Sequence, residues 1–313
     1  MKVLLHHDAS PGFRATLLRI TPPDIALVIV PEADSAGFTR EVRDSAVILH
    51  VLLPLTPAML EPARALRLIQ KIGVGVNTIA LDYAEARGIA VCNMPGTNSQ
   101  AVAEHTLLLM LAALRHVCWL DAETRKGQGW HLPRAAFDSV GEVNGRTVGL
   151  VGFGAAPQRL AAALTALGAR VLCTNRSGTH TDSVPWCALD PLLAQSDIVS
   201  LHVPATPATR HLINATRIAQ MKRGAVLINT ARGELVDQQA LLAALHSGQL
   251  RAAGLDVFEP EPLETHPLFD CPNVVLTPHI AWLTPETLAR SMTVAFDNCT
   301  RLAQGQPLRF SVR

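Results

Sequence analysis

The chain has 313 residues, of which 49% are apolar and 17% charged, and its formal net charge is +1. This length is comfortable for two domains, and the apolar fraction is sufficient for buried cores. The balanced charge gives no electrostatic reason to expect binding to nucleic acid or to an anionic membrane. The low aromatic content, with a single tyrosine, argues against a surface for base stacking.

Short β-rich runs alternate with helical runs along the chain. Continuous Val/Ile/Leu runs indicate strands buried on both faces, and their alternation with helices predicts α/β architecture with doubly wound parallel sheets. The candidate strands are Val3–His6, Val47–Val51, Leu68–Ile72, Ile89–Cys92, Thr147–Gly152, Arg170–Thr174, Ile198–His202, Ala225–Asn229, Ala252–Leu255 and Val274–Leu276. The candidate helices are Pro57–Leu66, Ser99–Arg115, Gln158–Leu167, Asp190–Gln195, Gln238–His246 and Pro285–Ala303.

Targeting and redox signals are weak. The N-terminal apolar run is too short for a signal peptide, and the longest apolar stretch, Leu107–Leu114, is well below the roughly 20 residues that a bilayer needs. The six cysteines are scattered without a Cys-x-x-Cys pair. We therefore expect reduced thiols, no metal site, no membrane partner and a cytoplasmic location.

A glycine-rich turn follows the strand that begins at Thr147. Gly152 suits a tight turn, and Gly154 lets backbone approach a pyrophosphate, which the N–H groups of a helix starting near Ala155 would bind. Pro157 stands where the dinucleotide fingerprint has its third glycine. Proline is tolerated in a first helical turn, although it cannot reproduce the close packing that glycine permits. We predict a dinucleotide site, with an ordinary βα turn as the alternative.

The end of the next strand bears on the choice of cofactor. An NAD-selective site normally places Asp or Glu there for the ribose 2′-OH. This chain has the neutral Asn175, then Arg176, which could pair with a 2′-phosphate, and Ser177, which could add a hydrogen bond. We predict a preference for NADP, with NAD as the alternative. Arg176 could instead be a solvated loop residue.

Three charged residues in the last third of the chain stand in distinctive contexts. Arg232 lies in Asn229–Asp237, Glu261 in Gly254–Pro262 and His279 in Leu276–Ile280. A guanidinium, a carboxylate and an imidazole are the groups needed to hold a 2-oxo acid and move one proton at its carbonyl. Glu259 and Glu264 are rivals for the carboxylate. The set predicts a redox enzyme rather than a binding module.

Eight segments together resemble the D-isomer-specific 2-hydroxyacid dehydrogenase family. They occur in the family's order and span nearly the whole chain: Lys71–Asn77, Asn93–Asn98, Ala101–Thr106, Val148–Gly154, Leu201–Arg210, Asn229–Asp237, Gly254–Pro262 and Leu276–Ile280. The resemblance implies a flavodoxin-like substrate domain and a Rossmann nucleotide-binding domain with a cleft between them, and usually a homodimer. We assign residues 1–97 and 284–313 to the substrate domain and 98–283 to the dinucleotide-binding domain.

The resemblance also implies roles for single residues. Arg232 matches the arginine that holds the substrate carboxylate and carbonyl, His279 the general acid–base, and Glu261, by its register in the motif, the carboxylate paired with that imidazole. Val74, Gly75 and Val76 resemble the loop whose N–H groups bind the substrate carboxylate. The expected cofactor contacts are Thr106, Gly152, Phe153, Gly154, Ala155, Ala156, Asn175, Arg176, Ser177, His202, Val203, Pro204, Thr209, Thr230, Ala231, Arg232, Asp256 and His279.

The substrate side chain is less well specified. Trp282 is a candidate substrate-binding residue, since the stretch Pro278–Trp282 resembles that of some glycerate dehydrogenases and hydroxypyruvate reductases. Trp130 precedes the nucleotide turn in a region that is often near the dimer contact in this family. Both could serve only packing. We expect glyoxylate or hydroxypyruvate as substrate, and phosphoglycerate less because no basic cluster for a phosphate is evident. A nucleotide-sensing, corepressor-like module is the alternative from another class, and a formate or phosphite dehydrogenase relative is a third.

Overall fold

The computed structural model of the protein describes residues 1–178 and 184–312. The chain forms two compact units, Met1–Asn98 with Thr284–Arg313, and Ser99–Leu283. Each unit is built on a parallel sheet, which confirms the predicted α/β fold class.

Unit 1 contains a five-stranded parallel sheet of order β2-β1-β3-β4-β5, the flavodoxin-like doubly wound order. Its core includes Leu4, Ile48, Ile69 and Val91 from four of the strands. Its elements up to residue 98 are β1 (Lys2–His6), α1 (Pro11–Ile20), β2 (Ala26–Val30), α2 (Ser35–Glu41), β3 (Val47–His50), α3 (Pro57–Leu60), β4 (Leu68–Lys71), α4 (Leu81–Ala86) and β5 (Ala90–Cys92).

Unit 2 contains, in its described part, a six-stranded parallel sheet of order β11-β10-β9-β8-β6-β7. Consecutive residues of β6 face opposite sides, since Leu150 packs in one hydrophobic cluster and Val151 in another, so apolar layers cover both faces. The elements are α5 (Ser99–Leu114), α6 (Val117–Arg125), β6 (Thr147–Val151), α7 (Ala155–Ala166), β7 (Arg170–Thr174), α8 (Leu189–Gln195), β8 (Ile198–Leu201), α9 (Ala215–Gln220), β9 (Ala225–Asn229), α10 (Gln238–His246), β10 (Leu250–Leu255) and β11 (Val274–Leu276).

The last helix, α11 (Pro285–Ala303), belongs to unit 1. Thr284 caps it by accepting from the Thr287 N–H at 3.1 Å. The buried Asn298 donates to Gln70 Oε1 on β4 at 2.7 Å, and Arg290 Nε donates to the Thr97 carbonyl at 2.8 Å. These polar bonds tie the end of the chain to the sheet and to the segment that leaves unit 1.

Two sequence-based expectations about elements are wrong. The helix predicted over Pro57–Leu66 ends at Leu60, because Pro62 has no N–H to continue the helical hydrogen bonding. The strand Ala26–Val30 is missing from the predicted set, although its β-branched run is a strand signal. The other predicted strands lie within two residues of their observed bounds.

Among the described residues, no single helix has both the length and the apolar character to cross a membrane. One bent pair, α5 with α6, passes the length and composition test jointly, with an angle of 62° between its helices. About half of α5 is buried inside unit 2, including Thr106 and Met110.

Candidate functional site

The unit 2 side chains that are able to bind a ligand or transfer a proton lie at the carboxyl ends of neighbouring parallel strands. The Arg232 turn follows β9, Asp256 directly follows β10, and the His279 turn follows β11. These three strands are adjacent in the sheet. Open α/β sheets bind ligands at this edge, because the loops there converge from neighbouring strands.

The turn that carries Arg232 is shaped by the buried Asn229. Its side chain accepts from the Ala231 N–H at 3.1 Å and donates to the Arg232 carbonyl at 2.8 Å. Burial lowers the pKa of the Arg232 guanidinium, while the charges of Glu234 and Glu261 act to raise it. Arginine remains cationic even so, because its ordinary pKa is far above neutral pH.

Glu261 and His279 form a direct pair. Glu261 Oε2 lies 2.7 Å from His279 Nδ1, and Oε1 accepts from the Phe258 N–H at 2.8 Å. Burial acts to raise the pKa of the Glu261 carboxyl, but the bond and charge of His279, the Phe258 N–H and the charge of Arg232 together hold it below its ordinary value. The pair therefore joins an ionised carboxylate to one nitrogen of the ring, and the opposite nitrogen, Nε2, has no hydrogen-bond partner in the described part of the chain.

His279 has left-handed backbone, with φ of 55°, which is unusual for a residue with a side chain. The fully buried Asp256 holds the turn on both sides: its carbonyl accepts from the His279 N–H at 2.7 Å, and its carboxylate accepts from the N–H groups of Ile280 and Ala281, each at 2.9 Å. Asp256 was expected among the cofactor contacts. Its carboxylate is engaged in fixing the His279 turn.

Glu259 is engaged elsewhere. Its carboxylate pairs with Arg210 Nη1 at 2.6 Å and lies 3.6 Å from His211 Nε2. The structure therefore separates it from His279, and the exposed Glu264 also makes no pair with that ring in the described chain. Among the described residues, no group of three or more His, Cys, Asp or Glu side chains is arranged to hold a metal ion.

The glycine-rich turn has the geometry of a phosphate cradle. Gly152 has φ of 99°, and a Cβ there would lie 2.6 Å from the His202 carbonyl oxygen, so a side chain does not fit. Gly154 is open and precedes α7, whose first turn has no side-chain cap. Pro157 is buried in that first turn without breaking the helix. In the described part of the chain, the N–H groups of Ala155 and Ala156 in the first turn of α7 have no acceptor, and together with the neighbouring Phe153 they fit a dinucleotide phosphate.

The other expected cofactor residues surround the carboxyl ends of β7 and β8. Ser177 donates to Asn175 Oδ1 at 3.0 Å, and Arg176 is exposed. The His202 ring bonds to Ser200 Oγ at 2.9 Å, and burial lowers its pKa to about 4, so this ring is neutral. The remaining residues of this group belong to the loop after β8: Val203 packs at Gly152, and Thr209 Oγ1 donates to the Pro204 carbonyl at 2.7 Å.

Helix α5 supplies two consecutive polar side chains to these turns. Thr106 Oγ1 lies 2.8 Å from Thr230 Oγ1, directly after β9, and His105 Nε2 lies 2.9 Å from Thr277 Oγ1, directly after β11. Thr106 was expected as a cofactor contact; it is fully buried against Thr230. The sequence analysis did not single out His105 or Thr277, because each bond joins residues far apart in the chain.

In unit 1, the loop after β4 contains the expected carboxylate-binding residues. Gly73 has φ of 133°, and its carbonyl accepts from the Met94 N–H at 2.8 Å. The N–H groups of Val74, Gly75 and Val76 donate to no acceptor in the described chain. Three such donors on consecutive residues can receive an anion.

Unit 1 also has a row of basic residue types that sequence analysis missed. His6, His50 and Lys71 are in register at the carboxyl ends of β1, β3 and β4, and all three are buried. Burial lowers the pKa of His6, and burial and the Lys71 charge lower the pKa of His50 to about 3, so both rings are neutral. Lys71 Nζ donates to the Val51 carbonyl. The row thus contains one cation rather than three.

The two singled-out tryptophans differ in exposure. Trp282 is half-buried just after the His279 turn, whereas Trp130 is 82% exposed in the short 3-10 helix Gly129–His131. Trp130 therefore has no packing role inside its own unit.

Several known proteins are similar to this chain over most of its length. The chain is 40% identical to the glyoxylate reductase of Aeropyrum pernix, over 79% of this chain and 76% of that protein. It is 36% identical to the hydroxypyruvate reductase of Thermotoga maritima, over 85% and 84%. It is 37% identical to the D-3-phosphoglycerate dehydrogenase of Mycobacterium leprae over 85% of this chain, but it spans only 48% of that longer protein.

Several solved structures are similar to this chain over nearly its whole length. A protein from Thermus thermophilus has a TM-score of 0.89 and 34% identity, with 100% of both chains covered. The D-lactate dehydrogenase of Aquifex aeolicus, complexed with NAD and lactic acid, has a TM-score of 0.83 and 30% identity, covering 97% of this chain and 96% of that one. An acyclic imino acid reductase in complex with NADPH and D-Arg has a TM-score of 0.86 and 26% identity, with 100% of both covered.

The family model described as the NAD binding domain of D-isomer specific 2-hydroxyacid dehydrogenases matches residues 107–281, more than half of the chain. Sequence, fold and relatives therefore lead to one conclusion: the chain belongs to the D-isomer-specific 2-hydroxyacid dehydrogenase family.

Proposed function

We propose that the protein transfers a hydride between NAD(P)H and a small 2-oxo acid, forming the D-2-hydroxy acid. The observation that carries this proposal is the 2.7 Å bond between Glu261 Oε2 and His279 Nδ1. A carboxylate on Nδ1 orients the ring and favours its protonated form, so Nε2 can deliver a proton to a substrate oxygen.

The chain's own residues supply the other steps. The nicotinamide, when bound, provides the hydride for the carbonyl carbon. Arg232 holds the substrate carboxylate and carbonyl oxygen through its planar set of donors. His279 gives one proton to that oxygen as negative charge develops on it, and takes the proton back in the reverse direction. Glu261 stabilises the imidazolium form and stays ionised, because its pKa lies below the ordinary value.

For the cofactor we propose NADP in preference to NAD. Asn175 rather than Asp or Glu directly follows β7, and the exposed Arg176 next to it supplies a positive charge that could pair with a 2′-phosphate. The similar solved structures include one with NADPH and one with NAD, so this fold is found with either cofactor.

For the substrate we propose glyoxylate or hydroxypyruvate. The relatives with those names are covered over most of their length, whereas the phosphoglycerate dehydrogenases are covered over about half. Since the rings of His6 and His50 are neutral, the basic row of unit 1 gives little support for a phosphate. The corepressor-like alternative is not favoured, because these relatives are named as enzymes.

We further propose that the protein is a cytoplasmic homodimer. Large apolar side chains are exposed between residues 108 and 137 of unit 2, on α5, α6 and the following 3-10 turns: Leu108, Leu111, Val117, Trp130 and Phe137. A second copy would cover them. Light scattering should give twice the chain mass, and Trp130→Glu should shift the species toward monomer; a wild-type monomer would contradict the proposal.

A substrate panel tests the function. Glyoxylate, hydroxypyruvate, pyruvate and 3-phosphohydroxypyruvate are each supplied with NADPH and with NADH, and the nicotinamide absorbance is followed. We expect the highest kcat/KM with glyoxylate or hydroxypyruvate and NADPH. Absence of turnover with every small 2-oxo acid would contradict the proposed activity.

A further inference from the structure

The strongest unassigned feature is His105 on helix α5. Its Nε2 lies 2.9 Å from Thr277 Oγ1 and 3.5 Å from Asp256 Oδ1, and its side chain is 13% exposed. Thr277 belongs to the turn that contains His279, and Asp256 bonds to that turn from the end of β10, yet His105 itself has no bond to His279 in the described chain.

The direction of these bonds follows from donor counting. Thr277 Oγ1 lies 2.6 Å from Asp256 Oδ1, and an ionised carboxylate only accepts, so the threonine hydroxyl donates there. The hydroxyl has a single hydrogen, so its bond with His105 is one that it accepts. His105 therefore carries a hydrogen on Nε2 and donates it to Thr277.

This chain of donors ends on the carboxylate that shapes the His279 turn. Asp256 Oδ1 accepts from both Thr277 Oγ1 and the Ile280 N–H, while Oδ2 accepts from the Ala281 N–H. Without the His105 donor, the half-buried Thr277 hydroxyl would keep only its bond to Asp256, and the carboxylate would be held by one fewer indirect constraint. The left-handed backbone at His279 persists only where its surroundings fix it.

We propose that His105 is a positioning residue for the proton transfer at His279, acting through Thr277 and Asp256. This inference rests on the proposed acid–base role of His279. His105 sets the direction in which the imidazole presents Nε2, and it contributes little to cofactor affinity or to the binding of the substrate carboxylate.

The test compares His105→Leu, which removes the donor, with His105→Gln, which keeps an N–H donor at similar reach. His116→Leu is the matched control, because His116 Nε2 makes the same kind of bond, 2.9 Å to Ser139 Oγ, away from the catalytic turns. Each variant is assayed for kcat and KM with glyoxylate and hydroxypyruvate and for NADPH affinity by fluorescence.

We expect His105→Leu to lower kcat about 10-fold with KM and NADPH affinity within about 2-fold, His105→Gln to restore most of kcat, and His116→Leu to leave kcat unchanged. Thr277→Val should lower kcat to a similar extent, and adding His105→Leu to it should cost little more, since both act through one contact. Wild-type kcat in His105→Leu, a loss confined to KM, or losses that multiply in the double variant would overturn the proposal. If the wild-type protein showed no turnover, the result would instead count against the proposed function, because wild-type activity is measured before any variant is compared with it.

Discussion

The backbone of Gly233 packs directly against the carbonyl of Phe258, so closely that a Cβ on Gly233 would overlap it. Gly233 follows Arg232, and the Phe258 N–H binds Glu261. The absence of one side chain therefore lets the turn that contains Arg232 approach the loop that contains Glu261.

Gly233→Ala should separate these two turns. We expect a loss of about 1–3 kcal/mol in the free energy of unfolding, because backbone must move to admit the methyl group. The kcat/KM should fall by at least about 10-fold. Gly12→Ala is the control, because nothing lies within 4 Å of a Cβ there and the residue is on α1. Equal melting temperatures and kcat/KM for both variants would show that the approach is not required.

Glu261→Gln should lower kcat about 10- to 100-fold, because the amide keeps the shape but loses the charge that favours the imidazolium. Since the pKa of Glu261 is lowered, its carboxylate is ionised at every pH above about 4.5, so wild-type kcat should show no loss from Glu261 protonation between pH 5 and 8. Glu259→Gln, which affects the Arg210 pair instead, should stay within about 3-fold of wild type. If steady-state kinetics showed a larger loss of kcat in Glu259→Gln than in Glu261→Gln, Glu259 rather than Glu261 would be the carboxylate that supports His279.

Sequence reasoning reached the Arg232, Glu261 and His279 motifs because each is a local pattern a few residues long. It did not reach His105–Thr277, whose partners are 172 positions apart, nor the approach of Gly233 to Phe258. Such contacts depend on which strands and helices become neighbours, and a local pattern does not encode that order.

The sheet of unit 1 shows the same limit. His6, His50 and Lys71 come from three separate strands, and only the strand order and register place them side by side. Their neutral or charged state then depends on burial, which composition does not reveal. Helix α3 ends early for a local reason that is visible, since Pro62 is in the sequence.

The buried His50 should make stability depend on pH. Its pKa is about 3 in the folded chain and about 6.5 when unfolded, so the fold favours the neutral ring. This contribution is complete above about pH 6.5 and is lost progressively as the pH falls toward 3, by up to about 1.4 kcal/mol per pH unit. His50→Gln should flatten that decline in urea unfolding between pH 7 and 5, whereas the exposed His131→Gln should not. Identical slopes for wild type and His50→Gln would contradict the buried neutral state.

Arg176→Ala should change cofactor selectivity. Loss of a charge-assisted contact to the 2′-phosphate should lower kcat/KM with NADPH about 10-fold and leave kcat/KM with NADH nearly unchanged. Arg170→Ala is the control, because Arg170 is exposed at the opposite end of the same strand, β7. A wild-type kcat/KM that is higher with NADH than with NADPH would remove the proposed preference.

In the proposed reaction, His279, paired with Glu261, moves the proton at the carbonyl of a 2-oxo acid. The most direct measurement is NADPH oxidation with glyoxylate or hydroxypyruvate, followed for wild type and for His279→Ala at equal cofactor saturation. We predict turnover by the wild type and a loss of about 10²- to 10⁴-fold in kcat for the variant, with NADPH affinity retained. Turnover by His279→Ala at the wild-type rate would exclude His279 as the group that transfers the proton.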